Sequence, residues 1–226
     1  MRNLLYGLIV LLANGIAQAG TVYTSAADWN AAVTGVTTIN FEGIVNSANQ
    51  NCGSECLVYG FGPGVGTAVG GVTFDVGPVG ANDIFFILGD GSQYPVSVVS
   101  VQPTSGGADL LITSPSAVTA LAFDFGSLFV GDTATITLSD GSVQTVAAPA
   151  SPDLTFFGVT APGGISSVDI TLPTSADVLD VYGLDMSDFS YGTADTGTVP
   201  EPSSLLLFGA GLAGVAGMLR RRRRTS

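Results

Sequence analysis

The sequence predicts a mainly β protein, an antiparallel β-sandwich or jelly roll with one short N-terminal helix and a C-terminal transmembrane helix. The β-sandwich is predicted by many short segments rich in Val, Ile, Thr and Phe, and by the turn residues that separate them. No fixed-period repeat is visible, which argues against a propeller or a solenoid. The two ends of the chain differ from this central part in composition.

The helix is expected at the start of the central part. Ser25 is a preferred N-cap residue, and the acidic Asp28 follows at the third position. Trp29 comes next, and we expect the helix to stop near Gly35. The strongest hairpin signal is TLSDGSVQTV, in which Asp140-Gly141 separates two β-rich runs.

The distribution of charge limits the possible functions. The chain has 226 residues, a formal net charge of −12 and no histidine, and its only basic residues are Arg2 and those at 220–224. Binding of nucleic acid depends on Lys and Arg contacts with phosphate, so nucleic-acid binding is excluded. Residues 3–219 also lack the imidazole and the lysine amine that most acid–base and nucleophilic catalysis requires.

Carboxylates could still hydrolyse glycosides or bind hard cations. Nothing in the sequence marks a carboxylate pair with the separation that glycoside hydrolysis uses, and there is no G-x-S-x-G motif. We therefore expect a protein that is not an enzyme.

The N-terminus has the layout of a secretory signal peptide over residues 1–19. Arg2 supplies a basic start, residues 4–13 form an apolar core, and Ala17-Gln18-Ala19 is an A-x-A cleavage site. Export of the protein is therefore expected.

The C-terminus predicts a membrane helix. Residues 203–219 carry no charge. At about 1.5 Å per residue, a helix of this length spans roughly 25 Å, near the lower limit for crossing a bilayer. The tail at 220–226 would remain cytoplasmic by the positive-inside tendency. The membrane-stop residues are Arg220, Arg221, Arg222, Arg223 and Arg224.

This tail resembles the PEP-CTERM sorting signal, in which a Pro-Glu-Pro motif precedes an apolar helix and an arginine cluster. The corresponding residues here are Val199, Pro200, Glu201 and Pro202, within a linker at 193–202. The resemblance implies that an exosortase-type membrane protease removes the helix near this motif. It also implies a place in the cell envelope or in an extracellular polysaccharide matrix, after transient anchoring in the membrane with the domain outside.

Residues 20–192 form the predicted β-sandwich domain, with the motifs INFEG, GVTF, AFDFG, LSDGS, FFGV and DFSYG. These motifs resemble the lectin-like jelly-roll modules common in PEP-CTERM proteins. The resemblance implies glycan binding in many cases and often a structural calcium between the first and last strands.

Three sets of residues are candidates for sites. Cys52 and Cys56 are the only cysteines, and export favours a disulfide between them rather than a zinc site. Closing so short a loop contributes about 2 kcal/mol.

A calcium site is the second candidate. If residues 39–41 and 188–190 lie on adjacent strands, Glu42 and Asp188 come together, and Asp185 is close in sequence. The alternative is that these carboxylates only cap turns and face solvent.

The third candidate is a sugar-stacking aromatic, for which Tyr59 and Tyr94 in Gly/Pro-rich loops are suggested, whereas Trp29 is expected to anchor the core. Two functions follow. The first is a non-catalytic structural protein of the envelope or matrix, and the second is a calcium-assisted, lectin-like module that binds exopolysaccharide.

Overall fold

The computed structural model describes residues 20–45, 56–80, 82–89, 94–103, 107–127, 132–173 and 183–195. Contacts divide the chain into one unit over Met1–Ala194 and a second over Asp195–Ser226. The first unit contains one helix and twelve strands in its described part. In chain order they are β1 Thr21–Tyr23, α1 Ala26–Ala31, β2 Val33–Ile39, β3 Cys56–Phe61, β4 Gly66–Val69, β5 Val72–Val76, β6 Ile84–Leu88, β7 Val98–Gln102, β8 Asp109–Ser127, β9 Asp132–Leu138, β10 Val143–Ala148, β11 Thr155–Thr171 and β12 Leu184–Ala194.

The strands form one antiparallel hydrogen-bonded sheet, which confirms the prediction of a mainly β protein with one short helix. The main path through the sheet is β10-β9-β11-β8-β12-β7-β6-β3. Four more strands attach beside it: β1 pairs with β11, β2 with β12, β4 with β5, and β5 with β8.

The long strand β8 bends, and this bend folds the sheet over. In its first half, the residues that enter the main core are Leu110 and Ile112, at even positions. In its second half, they are Leu121, Phe123 and Phe125, at odd positions. Successive side chains of a strand point to opposite faces. The change from even to odd core positions therefore means that the two halves of β8 turn opposite faces of the strand toward the core. The core residues of β11 also change between odd and even positions, and they do so across the register shifts in its pairing with β8.

The folded sheet has two layers that share β8 and β11. The first layer contains β1, β2, β3, β6, β7 and β12, with the second half of β8 and the first half of β11. The second layer contains β4, β5, β9 and β10, with the first half of β8 and the second half of β11.

Aromatic rings join the two layers across the main core. Phe74 of β5 contacts Phe189 of β12 edge-on, with ring centroids 5.7 Å apart, and contacts Phe41 at 5.2 Å. All three side chains are fully buried. Each buried ring of this kind contributes about 1.5–3 kcal/mol through removal of apolar surface from water.

The helix is shorter than its sequence predicted. It ends at Ala31, because Val33 is buried and pairs with Ala194 as the first residue of β2. The expectation that the helix runs to near Gly35 was wrong. Gly35 instead has a φ of 63° within β2, opposite a register shift in β12. The predicted hairpin around Asp140-Gly141 is confirmed, since β9 and β10 pair directly on either side of it.

Trp29 anchors α1 to the outer face of the first layer. Its side chain is 1% exposed and packs with Ala120 and Ala122 of β8, and its Nε1 donates a hydrogen bond to the Val159 carbonyl at 3.4 Å. This confirms the expectation that Trp29 is a core residue. Gly158 lies directly under the ring.

Neither terminal segment is among the described residues. The predicted signal peptide at 1–19, the linker from residue 196 onward, the membrane helix at 203–219 and the tail at 220–226 all lie outside them. In the part that the structure describes, no helix has the length and hydrophobicity needed to cross a membrane.

The contact between Gly158 and Trp29 can be tested by adding one methyl group. A Cβ at position 158 would lie 2.7 Å from Trp29 Cδ1 and 2.9 Å from Phe156 Cε1, so the tryptophan must move. We expect Gly158→Ala to lower the free energy of unfolding by about 1–3 kcal/mol, measured by urea denaturation. Gly163→Ala, on the same strand with no atom within 4 Å of the new Cβ, is the control and should change it by less than about 0.5 kcal/mol. Equal effects of the two substitutions would contradict this account of the helix packing.

Candidate functional site

The outer face of the first layer carries three carboxylates in a row, here called the acidic strip: Glu42, Asp188 and Asp124. The pairing of Phe189 with Ile39 makes β12 and β2 neighbours, which meets the condition under which Glu42 and Asp188 were expected to come together. Glu42 follows the end of β2, and Asp188 precedes Phe189. Partial burial of its carboxyl group, and then the charge of Glu42, raise the pKa of Asp188, so the two carboxylates interact unfavourably when both are ionised.

The backbone at Asp188 is irregular. Its φ is 48°, and the register of β12 against β8 shifts between Ser187 and Ser190. The Asp188 side chain is exposed, whereas the next side chain, Phe189, is in the core.

Asp124 extends the acidic strip onto β8. It pairs with Ser187, and burial together with the charge of Asp188 raises its pKa. The sequence did not single out Asp124. It lies 64 residues before Asp188 in the chain, so only the β8–β12 pairing brings them together.

Glu42 also has a structural role. Its Oε1 accepts a hydrogen bond from the Ser97 backbone N–H at 3.0 Å. This bond ties the segment before β7 to the end of β2.

Asp185 is engaged elsewhere. It is 0% exposed, and its Oδ2 accepts a hydrogen bond from the Tyr94 hydroxyl at 2.8 Å. Burial raises the pKa of Asp185 to about 6, against the opposing effect of hydrogen bonds from Ser100 and Tyr94. Burial and the nearby Asp185 charge raise the pKa of Tyr94.

The structure therefore brings Glu42 and Asp188 together but pairs Asp185 with Tyr94. Asp124 takes the third position in the row. Within the described residues, no group of three or more His, Cys, Asp or Glu side chains has a geometry that could hold a metal ion. Calcium binding by Glu42, Asp185 and Asp188 stays a prediction.

The two predicted sugar-stacking tyrosines differ in exposure. Tyr94 is 2% exposed and offers no ring face to a ligand, so its proposed role was wrong. The reason is the buried carboxylate of Asp185, which supplies a hydrogen-bond acceptor for its hydroxyl. Tyr59 is 37% exposed and rests edge-on against Phe85, with centroids 5.6 Å apart.

Phe61, which the sequence analysis missed, is the most exposed aromatic side chain among the described residues at 64%. Although Tyr59 and Phe61 are two residues apart on β3, they lie on opposite faces. A bulge between Val58 and Gly60 places Tyr59 beside Phe85 of the main core, while Phe61 pairs with Ile84. In the sequence, Phe61 stands between Gly60 and Gly62, which have no side chains to cover its ring. These glycines are the signal that could have predicted an exposed Phe61.

The cysteines and the sorting residues can be placed only in part. Cys56 begins β3 and is not a free thiol. Its predicted partner Cys52 lies outside the described residues, so the disulfide stays a prediction. Val199, Pro200, Glu201 and Pro202 also lie outside them, as do Arg220 to Arg224.

Comparison with family models supplies the evidence on sorting. Residues 198–224 match the model described as the PEP-CTERM protein-sorting motif. The chain carries a PEP-CTERM sorting motif. The match confirms the resemblance of the tail and indicates an exported protein that is processed at the cell envelope.

A comparison with curated proteins gave no match. Among solved structures, an exo-β-agarase aligns with 63% of this chain and 26% of its own, at 10% identity and a TM-score of 0.38. Two family 29 carbohydrate-binding modules align with 73% of this chain and with 98% and 95% of their own, at 13% identity and TM-scores of 0.29 and 0.28. At such TM-scores these likenesses carry no argument about the ligand or the activity of this chain.

The Asp185–Tyr94 pair gives a prediction that depends on pH. Tyr94→Phe removes a hydrogen bond to a buried carboxylate, and we expect the free energy of unfolding at pH 7 to fall by about 1–3 kcal/mol. Because the pKa of Asp185 is about 6, the loss should be smaller at pH 5, where the carboxyl group holds a proton. Urea denaturation at the two pH values measures the difference. The control is Tyr59→Phe, which removes a hydroxyl from an exposed ring, and a loss for Tyr94→Phe that does not change with pH would contradict the assignment.

Proposed function

We propose that this protein is a non-catalytic structural component of the cell envelope or of an extracellular polysaccharide matrix. The observation that carries the proposal is the match of residues 198–224 to the PEP-CTERM sorting motif. The signal peptide at 1–19 directs export, and the apolar segment at 203–219 with its arginines holds the precursor in the membrane. An exosortase-type protease then cleaves near Pro200-Glu201-Pro202 and separates the β-sandwich domain from its anchor.

The composition of the domain supports a role outside the cell. Between residues 3 and 219 the chain has carboxylates but no Lys, Arg or His. A surface of this kind remains soluble and repels other anionic surfaces, including nucleic acid. The same composition leaves no imidazole or amine for catalysis.

The sorting step can be tested in the producing organism. We expect the combined change Pro200→Ala, Glu201→Ala and Pro202→Ala to leave the precursor in the membrane fraction with its tail attached. Intact mass measurement of the protein from membrane and extracellular fractions distinguishes the two forms. Asp195→Ala lies just upstream of the matched motif and should be processed normally. Release of the triple variant at the rate of the unmodified protein would overturn the assigned cleavage signal.

A second candidate function is calcium-assisted binding of exopolysaccharide. It rests on Glu42 and Asp188, the two exposed carboxylates that the β2–β12 pairing brings together, because adjacent carboxylates without a basic partner are stabilised by a divalent cation. Tyr59 is the exposed tyrosine that could stack on a sugar ring, since Tyr94 is buried.

The second candidate predicts retention of the processed protein on the producing organism's own polysaccharide in the presence of calcium. The combined change Glu42→Gln and Asp188→Asn should weaken this retention by about tenfold, which corresponds to about 1.4 kcal/mol. Asp140→Asn with Asp153→Asn removes the same charge from exposed turns and is the control. Retention that survives chelation would reject the calcium requirement, and no retention under either condition would reject binding to that polymer.

A further inference from the structure

The outer face of the first layer has an uncharged row of side chains at its β3 edge, here called the neutral row: Phe61, Ile84 and Gln102. Phe61 pairs with Ile84, and Ile84 pairs with Gln102. Residues that pair directly in an antiparallel sheet point their side chains to the same face. The three side chains therefore follow one another across β3, β6 and β7, over about 10 Å at the usual strand spacing.

The neutral row faces outward and not into the core. Phe85 follows Ile84 and Val101 precedes Gln102, and both Phe85 and Val101 belong to the main core. Because successive side chains alternate between the two faces of a strand, Ile84 and Gln102 point outward. Phe61 is 64% exposed, and the other two side chains are half-buried.

The part of the outer face next to the neutral row is covered. Phe86 and Ser100 pair with each other in the adjoining outward-facing row, and both are buried. Tyr94 packs with Phe86 in this cluster, and Ile84 packs against its margin. The neutral row is therefore the place where this side of the face becomes accessible, on a packed support.

The backbone on either side of Phe61 is fixed, although the ring is exposed. Phe61 is paired with Ile84, and the Gly62 N–H donates a hydrogen bond to the Asp83 carbonyl at 2.9 Å. The Val65 N–H then donates to the Gly62 carbonyl at 3.2 Å. An aromatic ring on such a backbone loses little conformational entropy when it binds a ligand.

No exposed charge adjoins the neutral row in the chain or in the adjoining row of the sheet. Asp83 precedes Ile84, and Asp185 pairs with Ser100, but these carboxylates are 1% and 0% exposed. The chain as a whole has a net charge of −12 and no Lys, Arg or His between residues 3 and 219. An anionic polymer is therefore repelled by the domain, whereas an uncharged polymer can reach the neutral row without a bridging cation.

The chemistry of the neutral row matches that of a sugar chain. An aromatic ring offers an apolar face to the C–H groups of a sugar ring, and Ile84 continues this apolar surface. The Gln102 amide supplies two N–H donors and a carbonyl acceptor, which can bond neighbouring hydroxyl groups. Because the row crosses three strands, successive sugars of one chain can contact Phe61 and Gln102 together.

We propose that the neutral row binds an extended, uncharged polysaccharide by stacking on Phe61 and hydrogen bonding to Gln102, without a metal ion. This inference rests on the proposed place in a polysaccharide matrix and names the class of polymer bound there. It differs from the calcium-assisted candidate in its residues, in the charge of its ligand and in its independence of cations. The tail variants test sorting in the organism, whereas the neutral row is tested by binding of the purified protein, so either proposal can fail alone.

Affinity electrophoresis of the full protein in native gels, in a detergent without sugar groups, tests the neutral row. The probes are hydroxyethyl-cellulose and carboxymethyl-cellulose, which share one sugar backbone and differ in charge, each with a chelator present. We expect hydroxyethyl-cellulose to retard the protein and carboxymethyl-cellulose to bind it at least about tenfold more weakly. Absence of retardation by hydroxyethyl-cellulose, or equal binding of the two polymers, would overturn the proposal.

Phe61→Leu is the decisive variant, because it keeps an apolar side chain and removes the aromatic ring. We expect it to weaken binding of hydroxyethyl-cellulose at least about tenfold, whereas Phe61→Trp should bind like the unmodified protein. Gln102→Ala should weaken binding about threefold to tenfold through lost hydrogen bonds. Val143→Ala removes exposed apolar surface from β10 in the second layer and should bind normally. If Phe61→Leu binds as tightly as the unmodified protein, stacking is not used and the proposal is wrong.

Sedimentation velocity without polymer tests the other occupant of the neutral row, a second copy of this chain. We expect Phe61→Ser to leave the sedimentation coefficient unchanged. A dimer that this substitution dissociates would assign the row to self-association and reject the polysaccharide. Because most of the Phe61 side chain is exposed, its variants should keep the urea midpoint of the unmodified protein, which separates lost binding from lost folding.

Discussion

The absence of any positive charge between residues 3 and 219 is the constraint on which the rest of the structure depends. No carboxylate of the domain can form an ion pair with another side chain of it. The described aspartates are therefore stabilised in other ways. Asp140 accepts the Ser142 backbone N–H in an exposed turn, and Asp185 accepts the Tyr94 hydroxyl in the interior. Where Asp83, Asp109 and Asp169 meet, backbone donors are too few, and one carboxylate oxygen of each has no hydrogen-bond partner.

Cohesion of the fold has to come from apolar contacts, since electrostatic attraction is missing. The bends of β8 and β11 make this possible, because each strand presents core side chains to both layers and continues the hydrogen-bonded sheet between them. The contact of Phe74 with Phe189 closes the sandwich from the opposite side. The buried rings and the continuous hydrogen-bonded ladder therefore hold the two layers together.

The sequence predicted those parts of the fold that depend on neighbouring residues. Short segments rich in Val, Ile, Thr and Phe predicted the β class, and the Asp140-Gly141 turn predicted the β9–β10 hairpin. Long-range packing decided the rest. Pro115 and the small polar residues around it are typical of a turn, yet β8 continues through them from Asp109 to Ser127. The burial of Tyr94 depends on the carboxylate of Asp185, which is 91 residues away in the chain. No residue near Tyr94 in the sequence predicts this contact.

The acidic strip and the carboxylates at Asp83 and Asp109 differ in their exposure to solvent. The acidic strip includes the exposed side chains of Glu42 and Asp188, which a hydrated divalent cation can reach. Asp83 and Asp109 are 1% and 0% exposed, and Asp109 Oδ2 already accepts the backbone N–H groups of Val79 and Gly80. An exported protein meets the pH and the cations of its surroundings directly. A cation at the strip would act on the ends of β2 and β12 in the first layer, whereas Asp109 holds the loop after β5 against the second layer. Since the two places share no residue, a variant in one should leave the response of the other unchanged.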